Sequence, residues 1–142
     1  MSAATNYLEG ALLDHVLRGH ATGTDYTQPT NVYLGLVTDT ATDTELEEGT
    51  LTNEITGYTG DRPVVEFTEP IVIANGDSQI ENTIEIAFED MPEATIGYLI
   101  ITDSPTKGSG NVLYYSQPDS IKTSNAGDTY RILVGDLTVD LG

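Results

Sequence analysis

A chain of 142 residues without cysteine fits a single domain (1–142) with its own core, and it excludes disulfides and thiolate metal sites. Asp and Glu number 23 against 5 Lys and Arg, and the formal net charge of −18 repels phosphate, which argues against direct contact with nucleic acid. No run of 18 apolar residues occurs, so we expect no membrane insertion.

The first predicted element is a helix over residues 6–18. Asn6 is a candidate N-cap, and Glu9 follows at the spacing of a capping box. Leu8, Leu12 and Val16 recur at helical spacing on one face, and further leucines widen this apolar stripe. The stripe covers more than half of the helix, so we expect burial on two sides, against the chain's own domain, a neighbouring subunit, or both. These three residues are therefore candidates for an oligomer or anchor interface.

An acidic segment over residues 39–53 shows no periodicity and is predicted to be a loop. Its carboxylates include Asp39, Asp43 and Glu45, which are weak candidates for holding a hard cation such as Ca²⁺. The spacing does not match an EF-hand loop, so a solvated acidic loop is the alternative interpretation.

The rest of the chain, over residues 31–141, indicates an antiparallel β-sandwich or barrel-like domain. Short apolar or alternating runs are separated by turn residues every 8–12 positions, which is typical of all-β folds. The predicted strands cover 31–38, 64–67, 71–74, 79–88, 97–102, 111–117, 120–123, 129–135 and 137–141. The fold class is thus mainly β with one N-terminal helix. The last two strands, separated by Gly135 and Asp136, are predicted to form the final hairpin.

Tyr114 and Tyr115 are adjacent in a predicted strand, so their side chains are expected on opposite faces. One is expected to enter the core, and the other to face outward or contact a partner, because Tyr is common in interface cores. Two tyrosines packed inside an ordinary sandwich are the alternative.

No motif for catalysis or for a cofactor is present. The only histidines are His15 and His20, and no nucleophile elbow, zinc-protease, Walker or dinucleotide-binding pattern occurs. With 23 carboxylates, any pair of them is weak evidence for acid–base chemistry. We therefore predict a protein that is not an enzyme, with no catalytic residue, no cofactor and no metal beyond the cation candidates above.

The composition suggests a protein that works in concentrated salt. Lysine occurs only twice, at Lys107 and Lys122, whereas threonine occurs 21 times. At about 1 M salt the Debye length falls to about 3 Å, so the repulsion within such an acidic chain is screened. An acidic protein from an ordinary host is the alternative.

Three stretches together resemble a family of small virion proteins of tailed bacteriophages, often described as tail-fibre-like or head-surface proteins. They are "NYLEGALLDHVLRG" with the following "PTNVYLGLVT", then "GYTGDRPVVEF", and finally "MPEATIGYLIITDSPTKGSGNVLYYSQPDSIKTSNAGDTYRILVGDLTVDL". The resemblance covers nearly the whole chain, except that the acidic segment 39–53 has no counterpart. It implies a structural component of a virus particle without catalysis. Joined to the composition, it suggests a tailed virus of a halophilic archaeon.

The leading hypothesis is a homo-oligomeric protein on the outer surface of the virion, as a capsid decoration, turret or spike. The alternative is a tail-fibre component or a module that binds a host receptor or glycan, and an envelope-degrading hydrolase is a further alternative. The expected partners are copies of the chain itself, other virion proteins of the capsid or tail, and a host surface receptor. The expected location is the virion, after synthesis in the host cytoplasm.

Overall fold

A computed structural model describes residues 2–18 and 26–142, with side-chain burial from residue 3 onward. The elements in chain order are β1 (Ser2–Ala4), α1 (Asn6–Leu17), β2 (Val32–Thr38), α2 (Asp43–Glu48), β3 (Val64–Val65), β4 (Ile71–Val72), β5 (Ser78–Glu81), β6 (Ile86–Met91), β7 (Ala94–Thr102), β8 (Val112–Ser116), β9 (Lys122–Ser124), β10 (Asp128–Ile132) and β11 (Thr138–Leu141). The structure confirms a mainly β, antiparallel fold with an N-terminal helix, consistent with a sandwich.

The largest sheet has the strand order β1-β8-β7-β2-β3, and β9 extends it by pairing with the first part of β7. All pairings in this sheet are antiparallel. The long strand β7 lies in the middle, between β2 and β8. Its sequence "ATIGYLIIT" is almost entirely apolar, as expected of a strand that is covered on both faces.

A second layer consists of two smaller sheets, β6 with β10, and β4-β5-β11. The chain from 78 to 91 lies antiparallel to the chain from 128 to 141, in two paired stretches with a break between them. The predicted final hairpin is therefore wrong, because β10 and β11 do not pair with each other. The predicted strand 79–88 is also divided in two at this break.

The buried side chain of Asn82 explains the break. Its Oδ1 accepts a hydrogen bond from the backbone of Leu137 at 2.9 Å, and its Nδ2 donates to the carbonyls of Ile84 and Leu133 at 2.8 and 3.0 Å. The backbone of Asn82 also pairs with Leu137 and Gly135. These bonds satisfy the backbone groups that the interrupted ladder leaves free. The segment 133–137 therefore continues along residue 82 and does not fold back.

The core has two parts, one on each face of the large sheet. The larger part lies between the two layers and contains side chains of both, among them Leu34, Leu36, Ile86, Phe88, Met91, Ile101, Ile132 and Leu137. The smaller part lies on the opposite face and contains Val37, Ala41, Leu46, Ile100, Val112 and Tyr115. Strand β2 contributes to both, so its nearly continuous apolar sequence is buried on its two faces.

The acidic segment 39–53 contains a helix, which corrects the prediction of a loop. Thr42 and Glu45 form a complete capping box at the start of α2, and Gly49 ends the helix in the left-handed conformation. Only Leu46 of this helix is buried, and it packs in the smaller part of the core. Leu46 is the single buried apolar residue of α2 and is surrounded in the sequence by carboxylates, so the segment shows no apolar periodicity.

The N-cap of α1 is Thr5 and not the predicted Asn6, which is the first residue of the helix. The hydroxyl of Thr5 accepts a hydrogen bond from the amide of Leu8 and donates one to the carbonyl of Val112 at 2.5 Å. The three residues before it form β1, which the sequence did not predict, at the edge of β8. Within residues 2–18 and 26–142, no helix has the length and hydropathy needed to cross a membrane.

Candidate assembly interface

The outer face of α1 is apolar and uncovered. Within the described part of the chain, no residue of this helix is fully buried. Leu13, Val16 and Leu17 are exposed to 58%, 68% and 69%, and their spacing of three and four residues places them on one side of the helix. Three large apolar side chains this exposed within about one turn make this side of the helix a candidate contact surface, since burying each is worth about 1.5–3 kcal/mol.

A glycine lies on the same side of the helix. Gly10 precedes Leu13 and Leu17 by three and seven residues, so these three residues form one stripe along the helix axis. A Cβ atom added at Gly10 meets no atom of the described chain within 4 Å. Glycine inside a helix costs about 1 kcal/mol relative to alanine, and no contact within the chain requires it here. We call Gly10, Leu13, Val16 and Leu17 the open face of α1.

The other side of α1 rests on the domain. Leu8 and Leu12 are half-buried, and the helix contacts β8, β1 and α2. Burial raises the pKa of Tyr115 in β8, and the charges of Glu47, Asp43 and Glu9 raise it further. Carboxylates of both helices therefore lie near the same strand. Of the three helix residues predicted at an interface, the structure exposes Val16 and turns Leu8 and Leu12 partly toward the domain.

The two adjacent tyrosines both lie inside this chain. Tyr114 is 8% exposed and Tyr115 is 2% exposed, one in each part of the core. The expectation that one of them faces outward is wrong, because the large sheet is covered on both faces at β8. The hydroxyl of Tyr114 donates to the carbonyl of Asp140 at 2.7 Å and so joins the two layers. This pair is not available to a partner.

The acidic cation candidates do not converge. The carboxylate of Glu45 accepts hydrogen bonds from the backbone of Thr42 and the side chain of Asn53, whereas Asp39 and Asp43 are exposed. In the described part of the chain, no group of three or more histidine or acidic side chains is placed to hold a metal ion. Glu45 thus caps a helix, and His20 lies outside the described residues.

The most elaborate polar cluster is internal, and sequence reasoning missed it. The guanidinium of Arg62 pairs with both carboxylate oxygens of Glu54 at 2.7 and 2.9 Å, and both side chains are fully buried. A third nitrogen of Arg62 donates to Thr102 and to the carbonyls of Ser104 and Ser109. Because both side chains are buried and hydrogen-bonded within the chain, the pair links the segments that contain Glu54, Arg62 and residues 102–109. An arginine in a chain with so few cations was the available signal.

Lys107 closes the same cluster from outside. Its ammonium donates to the carbonyls of Thr56 and Tyr58 and lies 3.9 Å from the centre of the Tyr58 ring. Burial, with the charge of Glu54, raises the pKa of Tyr58 far above its ordinary value, so this phenol stays neutral. The segment "GYTGDRP" is thus held by its own interior contacts.

An open groove of about 370 Å³ lies between residues 116–122 and residues 130–138. Its lining combines polar residues with apolar ones and includes Gln117, Asp119, Ser120, Lys122, Arg131, Asp136 and Thr138. Arg131 pairs with Glu85 at 2.6 Å. Among the lysines and arginines of the described chain, Lys122 is the one whose side chain is given neither an ion pair nor a hydrogen bond by the structure. The groove thus offers both donors and acceptors at its surface.

These features define a β-sandwich module with an exposed apolar face on α1 and a buried polar cluster around Arg62 and Glu54. Residues 3–140 match the family model described as "Podophage GP4 fiber I protein gp80", and the chain belongs to this family. A comparison with curated proteins finds no match. The family supports a fibre or virion structural protein of a tailed phage, and it fits the fibre alternative better than capsid decoration.

Proposed function

We infer that this chain is a non-enzymatic subunit of a virion fibre, which joins copies of itself or other virion proteins through the open face of α1. The observation that carries the inference is the exposure of Leu13, Val16 and Leu17 on a helix that has no buried residue. A helix held only along one side is stable as part of an assembly that covers the other side. The fibre family of the chain supports this assignment.

The polar groups of the chain serve its architecture. The buried Arg62–Glu54 pair has all its contacts inside the protein, and Asn82 mends a strand break. Exposed carboxylates are spread over the surface, which keeps such particles apart in solution. A catalytic assignment needs an accessible base or a converging pair of acids. In the described part of the chain, Glu54 is buried against Arg62 and Glu45 caps α2, so these two carboxylates support no such assignment.

Localisation on purified particles tests the proposal. We expect the chain in many copies per particle, with density for the β-sandwich in a cryo-EM map along a tail-associated fibre. Density on the head shell would favour the capsid-decoration alternative, and absence of the chain from the particles would end both. The variant Val16→Asp places a charge on the open face, so we expect it to be lost from particles. The matched variant Val134→Asp, at a valine that is 60% exposed outside α1, is expected to be retained.

We also propose that the fibre belongs to a virus of a halophilic host. The net charge of −18 and the scarcity of lysine support this proposal. Melting curves in dilute buffer and in multimolar KCl test it, because screening removes the repulsion among exposed carboxylates. We expect the midpoint of unfolding to rise with salt, and equal midpoints in both conditions would contradict the proposal.

A second candidate function is binding of a host glycan or other receptor, and the groove beside Lys122 favours it. Its size lies within the usual range of ligand sites, and its side chains both donate and accept hydrogen bonds, as sugar hydroxyls require. A glycan array probed in high salt tests this function. Binding that is lost in Lys122→Ala and Asp119→Ala would support it, and unchanged binding in both variants would place the receptor elsewhere.

A further inference from the structure

We propose that α1 pairs in an antiparallel arrangement with α1 of a second copy, with Leu13 of each copy seated over Gly10 of the other. This inference deepens the proposed function and depends on its premise that the open face is a contact surface. It specifies the occupant of that face, the direction of the partner helix and the residues in register.

Gly10 is a glycine inside a helix for which the described chain shows no use. Gly10 is exposed within the helix, and space for a side chain is open above it. A small residue on a contact face lets a second backbone approach closely, or it accepts a large side chain from the partner. Since no atom of the described chain uses this space, we assign it to a partner.

The open face of α1 is complementary to a second copy of itself. When two copies of α1 run antiparallel about a two-fold axis midway between positions 10 and 13, Gly10 of each copy lies opposite Leu13 of the other. The same axis places Leu17 of each copy opposite Asn6. A two-fold axis repeats every contact. The pair of Gly10 with Leu13 therefore occurs twice, and each time a large side chain faces a small residue.

The charges on and around α1 also favour an antiparallel pair. In an antiparallel pair, the acidic start of each helix lies beside the end that carries Arg18, and the two helix dipoles oppose. The open face itself carries no charge, so two copies of a chain with net charge −18 meet there with the least repulsion.

The contact is small for a stable dimer, because standard interfaces bury about 1,600 Å² in total. We therefore expect association that depends on protein concentration and grows stronger in high salt, where the acidic surfaces are screened. Within a fibre, many such contacts act together, so a weak single contact is sufficient.

Sedimentation equilibrium of the full chain in multimolar KCl tests the contact. We expect a monomer–dimer equilibrium that Gly10→Leu and Leu13→Asn each weaken by about tenfold or more. Gly10→Leu should keep or raise the melting temperature, because leucine is the better helix former and its Cβ meets nothing in the chain. The control is Leu133→Asn, since Leu133 is 55% exposed outside α1 and should leave dimerisation unchanged.

Disulfide trapping tests the direction, since the chain has no native cysteine. The variants Gly10→Cys and Leu13→Cys are mixed, with one of them carrying a mass tag, and oxidised. Antiparallel pairing predicts mostly mixed disulfides between position 10 and position 13. Mostly self-linked products of each variant indicate parallel helices and overturn the arrangement. A wild-type chain that stays monomeric, or that dimerises equally well as Gly10→Leu, overturns the contact itself.

The two proposals fail separately. A chain that is found in particles but is monomeric in solution retains the proposed function and loses the paired helices, which assigns the open face to another virion protein. A chain that dimerises through α1 but is absent from particles loses the fibre assignment alone.

Discussion

In each of the two described helices, the composition and the burial disagree, and they do so in opposite directions. The six-residue α2 is rich in carboxylates, yet it has a complete capping box and buries Leu46 against the large sheet. The twelve-residue α1 is rich in leucine, yet it buries no residue. Composition alone assigns them the wrong way round. The comparison teaches that α2 anchors in the domain's own core, whereas α1 leaves its apolar outer face exposed, as the proposed contact with a partner requires.

The largest expected effect that separates the helices is the loss of the α2 anchor. Leu46→Ala leaves a cavity in the smaller part of the core, where Leu46 is 3% exposed, so we expect a loss of about 2–4 kcal/mol in the free energy of unfolding. Leu13→Ala on α1 should change it by no more than about 0.5 kcal/mol under conditions in which the chain is monomeric. Urea unfolding of both variants measures the difference, and equal losses would contradict the comparison.

The attachment of α1 to the domain is the next test. Thr5→Val removes the hydroxyl that bonds the carbonyl of Val112 and caps the helix, so we expect a loss of about 1–3 kcal/mol. Thr129→Val, at an exposed position of β10, is the control and should be close to neutral. If the two variants unfold at the same urea concentration, Thr5 does not anchor the helix.

The capping box of α2 has a smaller expected effect. Thr42→Ala removes the side chain that accepts from the amide of Glu45 at 3.3 Å, and we expect a loss of about 1 kcal/mol. Thr44→Ala on the same helix lacks this role, and its alanine favours the helix slightly. Thermal unfolding of both variants should rank Thr42→Ala below the wild type and Thr44→Ala at or above it.

The smallest expected effect belongs to the exposed ion pair on α1. Arg18 lies 2.7 Å from Asp14, four residues earlier, and both side chains are well exposed. Arg18→Ala should therefore change the stability of the monomer by about 0.5 kcal/mol or less. A double-mutant cycle with Asp14→Asn measures the pair directly, and a coupling well above this value would mean that α1 is held by its own charges.

Most elements of the fold could be predicted from the sequence because apolar spacing determined them. Strand β2 was predicted within one residue. What could not be predicted was pairing between distant segments. The bonds of Asn82 to residues 133–137 depend on contacts more than fifty positions apart, and no local pattern encodes them.

The exposed side of α1 could be predicted only in part. The helical spacing identified α1 and Val16, but it could not decide which apolar residues face the domain, because leucines occur around most of the helix. Only the docking of α1 on β8 separates Leu12 from Leu13. Gly10 was the one local signal, since a glycine inside a helix needs a reason.

The way the chain uses its two lysines has a practical consequence for labelling. The amine of Lys107 is engaged with two carbonyls and an aromatic ring, whereas Lys122 is exposed beside the groove. Among lysine side chains, amine-directed dyes and cross-linkers should therefore react almost entirely at Lys122. Coupling at Lys122 thus places a reporter at the rim of the groove, and in assembled particles a cross-link from this site would identify which protein lies next to it.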